Sequence, residues 1–214
     1  SDKIRILKLN LYLKKKSLTT IFAENEQTTH SYLTNLGFSE DIITNFFKPF
    51  FSGIFLETKL ETSSRMFEFV YKMFGEGHAT LPKSGIEAIP KQLLENLKTT
   101  ILKYNTKVET LKETEITLND GTYLKSDYTI IATEASELVS NLKNQSTAWK
   151  SCVTLYFETD VRVIAKKLIG LISKPGTLVN NIFYNSSLDA RIKPSNELLS
   201  VTVIDTQSLS HEVL

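Results

Sequence analysis

The hydrophobic period of this chain changes once, near residue 104, and that change limits the folds open to it. Upstream, apolar residues recur every three to four positions, as along one face of a helix. Downstream they alternate or run together, as in strands. Helices followed by strands predict an α+β fold. The 214 residues are enough for one domain or two small ones, and twelve Phe with eight Tyr supply a sizeable core.

The helical part carries its own punctuation. In "GFSEDIITNFF", Ser39 is an N-cap, with Glu40 and Asp41 in the first turn, where carboxylates meet the positive end of the helix dipole. Phe38 precedes the cap and can staple onto Ile43. Gly37 closes the short helix "HSYLTNL" in a left-handed cap. "ETSSRMFEFVYKMF" reads as a second helix, capped by Thr62 or Ser63 and stopped at Gly75. Its apolar residues go nearly all round, so it is expected to be buried on several sides or to line a cavity. "PKSGIEAIPKQLLENLK" reads as a third, with Ile86, Ile89, Leu93 and Leu97 on one face and Ser84 and Glu87 at capping-box spacing. Pro90 must then sit in its first turn or kink it.

Beyond residue 104, "TKVETL", "TEITLND" and "GTYLKS" read as hairpin strands around an Asn119-Asp120-Gly121 turn. "YTIIAT" is a continuous apolar run, expected to be a strand buried on both faces. A short helix is expected at 136–143, strands in "SCVTLYFET", "NNIFYNS" and "LLSVTVID", a helical stretch near Val163–Leu171 and a turn at Pro175-Gly176.

Several chemistries are set aside. Net charge is +1, which gives no electrostatic reason to expect nucleic acid or an anionic membrane as partner, and Lys14-Lys15-Lys16 reads as a solvated loop or helix end. No apolar stretch reaches the length of a transmembrane segment. His30, His78 and His211 lack metal-ligand spacing, so no metal is expected. No nucleophile elbow supports a serine triad or an acyl hydrolase. Glu57 with Glu61, and Glu109 with Glu113, read as solvated faces. The single Cys152 fits a reducing, cytoplasmic setting. The eight glycines form neither G-x-G-x-x-G nor a P-loop, so the dinucleotide pyrophosphate has no usual seat here.

What remains is an ordered constellation: Pro82, Gly85 and Ile86 before a helix; Val108 and Leu111; Asp120 and Gly121; then Asp127, Ile130, Ile131, Ala132 and Thr133. That order resembles the middle of the flavin-dependent amine oxidases and their relatives, the protoporphyrinogen oxidases and phytoene desaturase-like enzymes. "FFKPFFSGIFLE" and "LETSSRMFEFVYKMF" look like a segment upstream in desaturase-like members. Ser84 stands where the family has the first Gly of a pair, and Ile86 where it has Met.

The resemblance implies FAD as cofactor and an interior piece of a longer flavoprotein. Residues 84–136 would be a partial FAD-binding domain, a helix plus a small β-meander of hairpins, with 1–83 and 137–214 the substrate-binding domain, a mixed sheet with helices. It places adenine against the main chain of Val108, the dinucleotide near Ala132 and Thr133, and Gly85 and Ile86 nearer the isoalloxazine. For Val108, Ala132 and Thr133 the competing reading is a buried strand and its end. The implied reaction is hydride removal from an apolar or amine substrate. Phe46, Phe47, Phe50, Phe51, Phe55, Phe67, Met73 and Phe74 are candidates for an apolar pocket, with core packing the preferred reading. No catalytic residue is nominated. Truncation would leave an apolar surface that a homodimer covers. The alternative function is a non-catalytic α+β protein-interaction module.

Overall fold

The computed structural model describes residues 1–134, 136, 138–139, 149–174, 176–188 and 196–204. The chain divides into two compact units, Ser1–Lys83 with Lys150–Leu214, and Ser84–Trp149. The α+β class is as expected, with every described strand pairing antiparallel.

In the first unit the helices are α1 (Asp2–Lys15), α2 (Leu18–Ala23), α3 (Thr29–Asn35), α4 (Glu40–Ile42), α5 (Lys48–Phe55) and α6 (Ser64–Glu76), with a π-helical turn at Ile43–Phe47 joining α4 to α5. The hydroxyls of Ser17, Thr28, Ser39 and Ser63 accept backbone amides at their N-termini. The Ser39 cap is as expected, and the staple partners Phe38 and Ile43 are buried in one core cluster. Gly37 has φ +80°, the left-handed geometry that ends α3. Helix α6 runs to Glu76 with its cap at Gly77, past the expected stop at Gly75. Of the two expected roles, burial on several sides is not met, since it turns Ser64, Phe67, Glu68 and Lys72 inward and leaves Met66, Met73 and Phe74 exposed, while Phe69, Val70, Met73 and Phe74 do line an apolar groove.

The core of these helices is largely aromatic. The Phe67 ring lies 4.6 Å from Phe51, 6.0 Å from Phe47, 5.8 Å from Tyr32 and 5.5 Å from Tyr71, centroid to centroid. Leu9 and Leu13 of α1, Leu33 and Leu60 complete it. Two buried lysines close the end of α1. The Lys72 ammonium donates to the carbonyls of Leu13 at 2.9 Å and Lys14 at 3.2 Å, a cation at the negative end of the helix. Lys16 pairs with Glu68 at 2.5 Å and Glu24 at 2.6 Å, and the Tyr32 hydroxyl donates to the other Glu68 oxygen at 2.5 Å. Burial alone would lower the Lys16 pKa, but the pairs with Glu24 and Glu68 outweigh it and push it up to about 12.

The sheet of this unit has the order β4 (Cys152–Thr159), β7 (Glu197–Ile204), β6 (Val179–Tyr184), β5 (Gly170–Leu171). Strands β4 and β7 pair along their whole length, from Cys152↔Ile204 to Thr159↔Glu197. Helix α5 is fastened to β6 by Asn180, whose Nδ2 donates to the Pro49 carbonyl at 3.0 Å. Gly53 makes room for this contact, since a Cβ there would stand 2.5 Å from Asn180 Oδ1. The helix expected near Val163–Leu171 is absent. Residues 161–169 are irregular, and Gly170–Leu171 is a strand paired with Asn181 and Ile182. Its Gly170 lies under Ile164 and Ile182, with no room for a Cβ, so sheet packing overrides the local helical pattern.

In the second unit, β1 (Val108–Leu111), β2 (Glu115–Leu118) and β3 (Tyr123–Lys125) form the expected meander. Helix α7 spans Ala88–Glu95, so Pro90 falls in its first turn, where its missing N–H has no helical partner to lose. The expected Ser84/Glu87 capping box is not formed. A start at the box would place Pro90 inside the helix at the cost of a hydrogen bond, and the proline decides. "YTIIAT" is a second correction. It forms no ladder, and Tyr128 and Ile130 are each 92% exposed. A strand buried on both faces needs ladder partners at its edges and packed layers on both faces, and among the described residues no strand pairs with it. The helix expected over 136–143 lies for the most part outside the described residues, as does Pro175 of the expected turn.

Truncating Phe67→Ala should cost about 3–5 kcal/mol, read as a fall in the urea midpoint at unchanged slope. The loop between α5 and α6 gives a pH signature. Burial opposes ionisation of Glu57, but the amides of Thr62 and Lys59 outweigh it and hold its carboxyl below the usual value of 4.5. Its contribution is therefore complete above pH 4.5 and is lost as pH falls through the depressed value. Glu57→Gln should flatten the acid limb of the stability profile and leave the neutral region with only a uniform offset.

Candidate functional site

The Phe-rich run is sorted by its backbone. Pro49 cannot donate to a carbonyl four residues back, and its ring crowds that carbonyl. The π turn at Ile43–Phe47 widens the helix just ahead of it. Phe47 and Phe51 then point into the core with Phe67, and Phe46 points outward. Phe50 stands edge-on to Phe74, 5.5 Å between centroids. Core packing therefore accounts for three of the eight candidate pocket residues, Phe47, Phe51 and Phe67, and Phe50 and Phe55 pack partly buried against the same cluster.

Met73 and Phe74 do something else. With Ile54, Phe69, Val70, Gly77, His78 and Ala79 they line an apolar groove of about 370 Å³ on the first unit. Its one titratable side chain is His78. Helical spacing by itself does not separate the groove from the core, because it puts residues of both on the same helix. For the α5 side the missed signal was Pro49 inside "FFKPFF", which shifts the faces of that segment. Glu57 is no acid–base candidate: its carboxylate also accepts the Thr62 hydroxyl at 3.1 Å and is occupied in holding the loop.

The five expected cofactor residues all fall in the second unit. Gly85 and Ile86 are exposed just ahead of α7. Gly85 has φ +87° with open space where a Cβ would point. Ala132 and Thr133 are exposed in the unpaired stretch after β3, and among the described residues no backbone hydrogen bond joins them to the other three.

Val108 is the most informative of the five. It is half-buried and opens β1, an edge strand of the meander. It lies opposite Leu118, whose amide donates to Thr122 and whose carbonyl accepts from Gly121, while Asn119 donates to the Lys107 carbonyl at 2.9 Å. Val108 and Leu118 therefore exchange no hydrogen bond, and both main-chain groups of Val108 face the open edge. A bulge between Val108 and Thr110 follows at once. A donor and an acceptor side by side on one edge residue suit the edge of a flat, nitrogen-rich ring.

The family model described as flavin containing amine oxidoreductase matches residues 6–213. The chain belongs to that family. No curated protein matches it. Membership brings oxidoreductase chemistry and a flavin cofactor, and the outward main chain of Val108 and the open space at Gly85 are compatible with one. No described helix is long and apolar enough to cross a membrane.

The edge geometry makes a direct prediction. Val108→Pro removes an N–H that the ladder does not use and should leave the unit folded. Thr110→Pro, at the residue aligned with Thr117, should cost about 1–3 kcal/mol. Thermal unfolding of the two variants side by side checks the orientation.

Proposed function

We propose that this chain supplies the adenine-holding edge and the substrate-facing unit of an FAD-dependent oxidoreductase acting on an apolar or amine substrate. The observation that carries the reading is the outward donor–acceptor pair of Val108 in a chain of the flavin containing amine oxidoreductase family. In this reading residues 84–136 belong to the FAD domain, and 1–83 with 137–214 to the substrate domain. Val108 would hold the adenine edge through its main chain. Gly85, Ile86, Ala132 and Thr133 would lie along the cofactor, small or open enough at Gly85 and Ala132 for the backbone to come close.

The pyrophosphate would be gripped by residues outside this sequence, because none of its eight glycines forms the phosphate-cradling motif. When bound, the flavin supplies a hydride acceptor for a carbon–nitrogen or carbon–carbon bond. The chain's own contribution is binding and the exclusion of water. The groove walls, Ile54, Phe69, Val70, Met73 and Phe74, would seat the apolar part of the substrate and leave His78 at hand. A desaturase-like choice of substrate fits those apolar walls, and the single Cys152 fits a cytoplasmic setting.

Because the phosphate grip is missing, the test uses AMP and saturation-transfer NMR, which detects weak binding. The chain should give an adenine signal that Val108→Ala keeps and Val108→Pro weakens about tenfold. A folded chain with no adenine signal, or one indifferent to Val108→Pro, would sink the assignment and leave a non-catalytic interaction module.

A further inference from the structure

Helix α1 is apolar on two opposite sides. At 3.6 residues per turn, Ile6, Leu9 and Leu13 share one face, and Leu9 and Leu13 enter the core. Ile4, Leu7 and Leu11 share the opposite face and are 56%, 58% and 54% exposed. The same wheel puts Lys8 and Lys15 along one side of that outer stripe and Lys3 and Lys14 along the other. All four lysines are exposed, and none joins an ion pair among the described residues. The acid of this helix, Asp2, is taken by Arg5 and by the Ser39 amide and hydroxyl.

We infer that the outer face of α1 docks on an anionic phospholipid surface. An apolar stripe between two rows of lysines is the pattern of a helix lying in the plane of a membrane interface, side chains in the acyl boundary and ammonium groups among the phosphates. The chain's net charge of +1 hides this, because the acids that balance it lie on other elements. Charge also selects among occupants. A second copy docking through the same face would set lysine rows against lysine rows, an arrangement that like-charge repulsion disfavours. Negative headgroups complement them. The inference does not depend on the flavin reading, since no cofactor residue lies on α1.

Flotation with phosphatidylcholine vesicles, with and without phosphatidylserine, tests it. The chain should float with the anionic vesicles, be released by salt, and stay behind with phosphatidylcholine alone. Lys8→Ser and Lys15→Ser should each weaken binding about fivefold, and Leu7→Asp with Leu11→Asp should abolish it. Those side chains are exposed, so circular dichroism and the thermal midpoint should be unchanged. If the aspartates disturb folding, the serine pair still reads the charge rows. Equal flotation with both vesicle types, or none with either, overturns the inference. So does a homodimer in sedimentation that Leu7→Asp dissociates, which would assign the face to a second copy.

Discussion

Pro49 is the residue on which the helical half of the first unit turns. A proline in the middle of a phenylalanine-rich helix forces the backbone to widen ahead of it, and the π turn at Ile43–Phe47 is that widening. The shift decides which rings meet Phe67 in the core and which reach Phe74 at the groove. The same residue anchors the sheet, because its carbonyl receives Asn180. Gly53, one turn on, is bare so that the strand can come close enough for that bond. Core, groove and helix–sheet junction in this unit thus share one short piece of chain.

Much of the fold was legible because local chemistry and tertiary structure agree. Ser39 caps where a cap was expected, Gly37 takes the left-handed turn, and the meander closes at the Asn119-Asp120-Gly121 turn. In each case the deciding interaction lies within a few residues of the signal. Failures came where a distant partner decides. "YTIIAT" has the composition of a buried strand, but a ladder is a property of two segments, and no described strand lies beside this one. The stretch near Val163–Leu171 reads as helical, but Gly170 is needed beside Ile182. At α7 two local signals conflicted, and the proline's steric demand outweighed a cap worth about 1 kcal/mol.

The candidate site was less legible than the fold, for a physical reason. Glycine motifs can be read because a phosphate needs the absence of a side chain. A main-chain donor–acceptor pair needs no particular residue. What matters at Val108 is its phase in the ladder: one position earlier, Lys107 spends its carbonyl on Asn119. That phase follows from the register with Leu118, which composition does not report.

The polar groups buried behind α1 show how averages mislead in a second way. Lys16 and Lys72 belong by sequence to charged surroundings, yet they sit inside, satisfied by Glu68, Glu24 and helix-end carbonyls. Breaking such a set by removing one partner leaves an uncompensated charge, typically a cost of about 3–5 kcal/mol. With Lys16 drawn inward, the run Lys14-Lys15-Lys16 splits. Two lysines stay on the surface beside Leu11, and one becomes part of the interior. A count of charges treats all three alike. Their burial separates a structural ion cluster from a surface rim, and only the rim is free to meet anything outside the molecule.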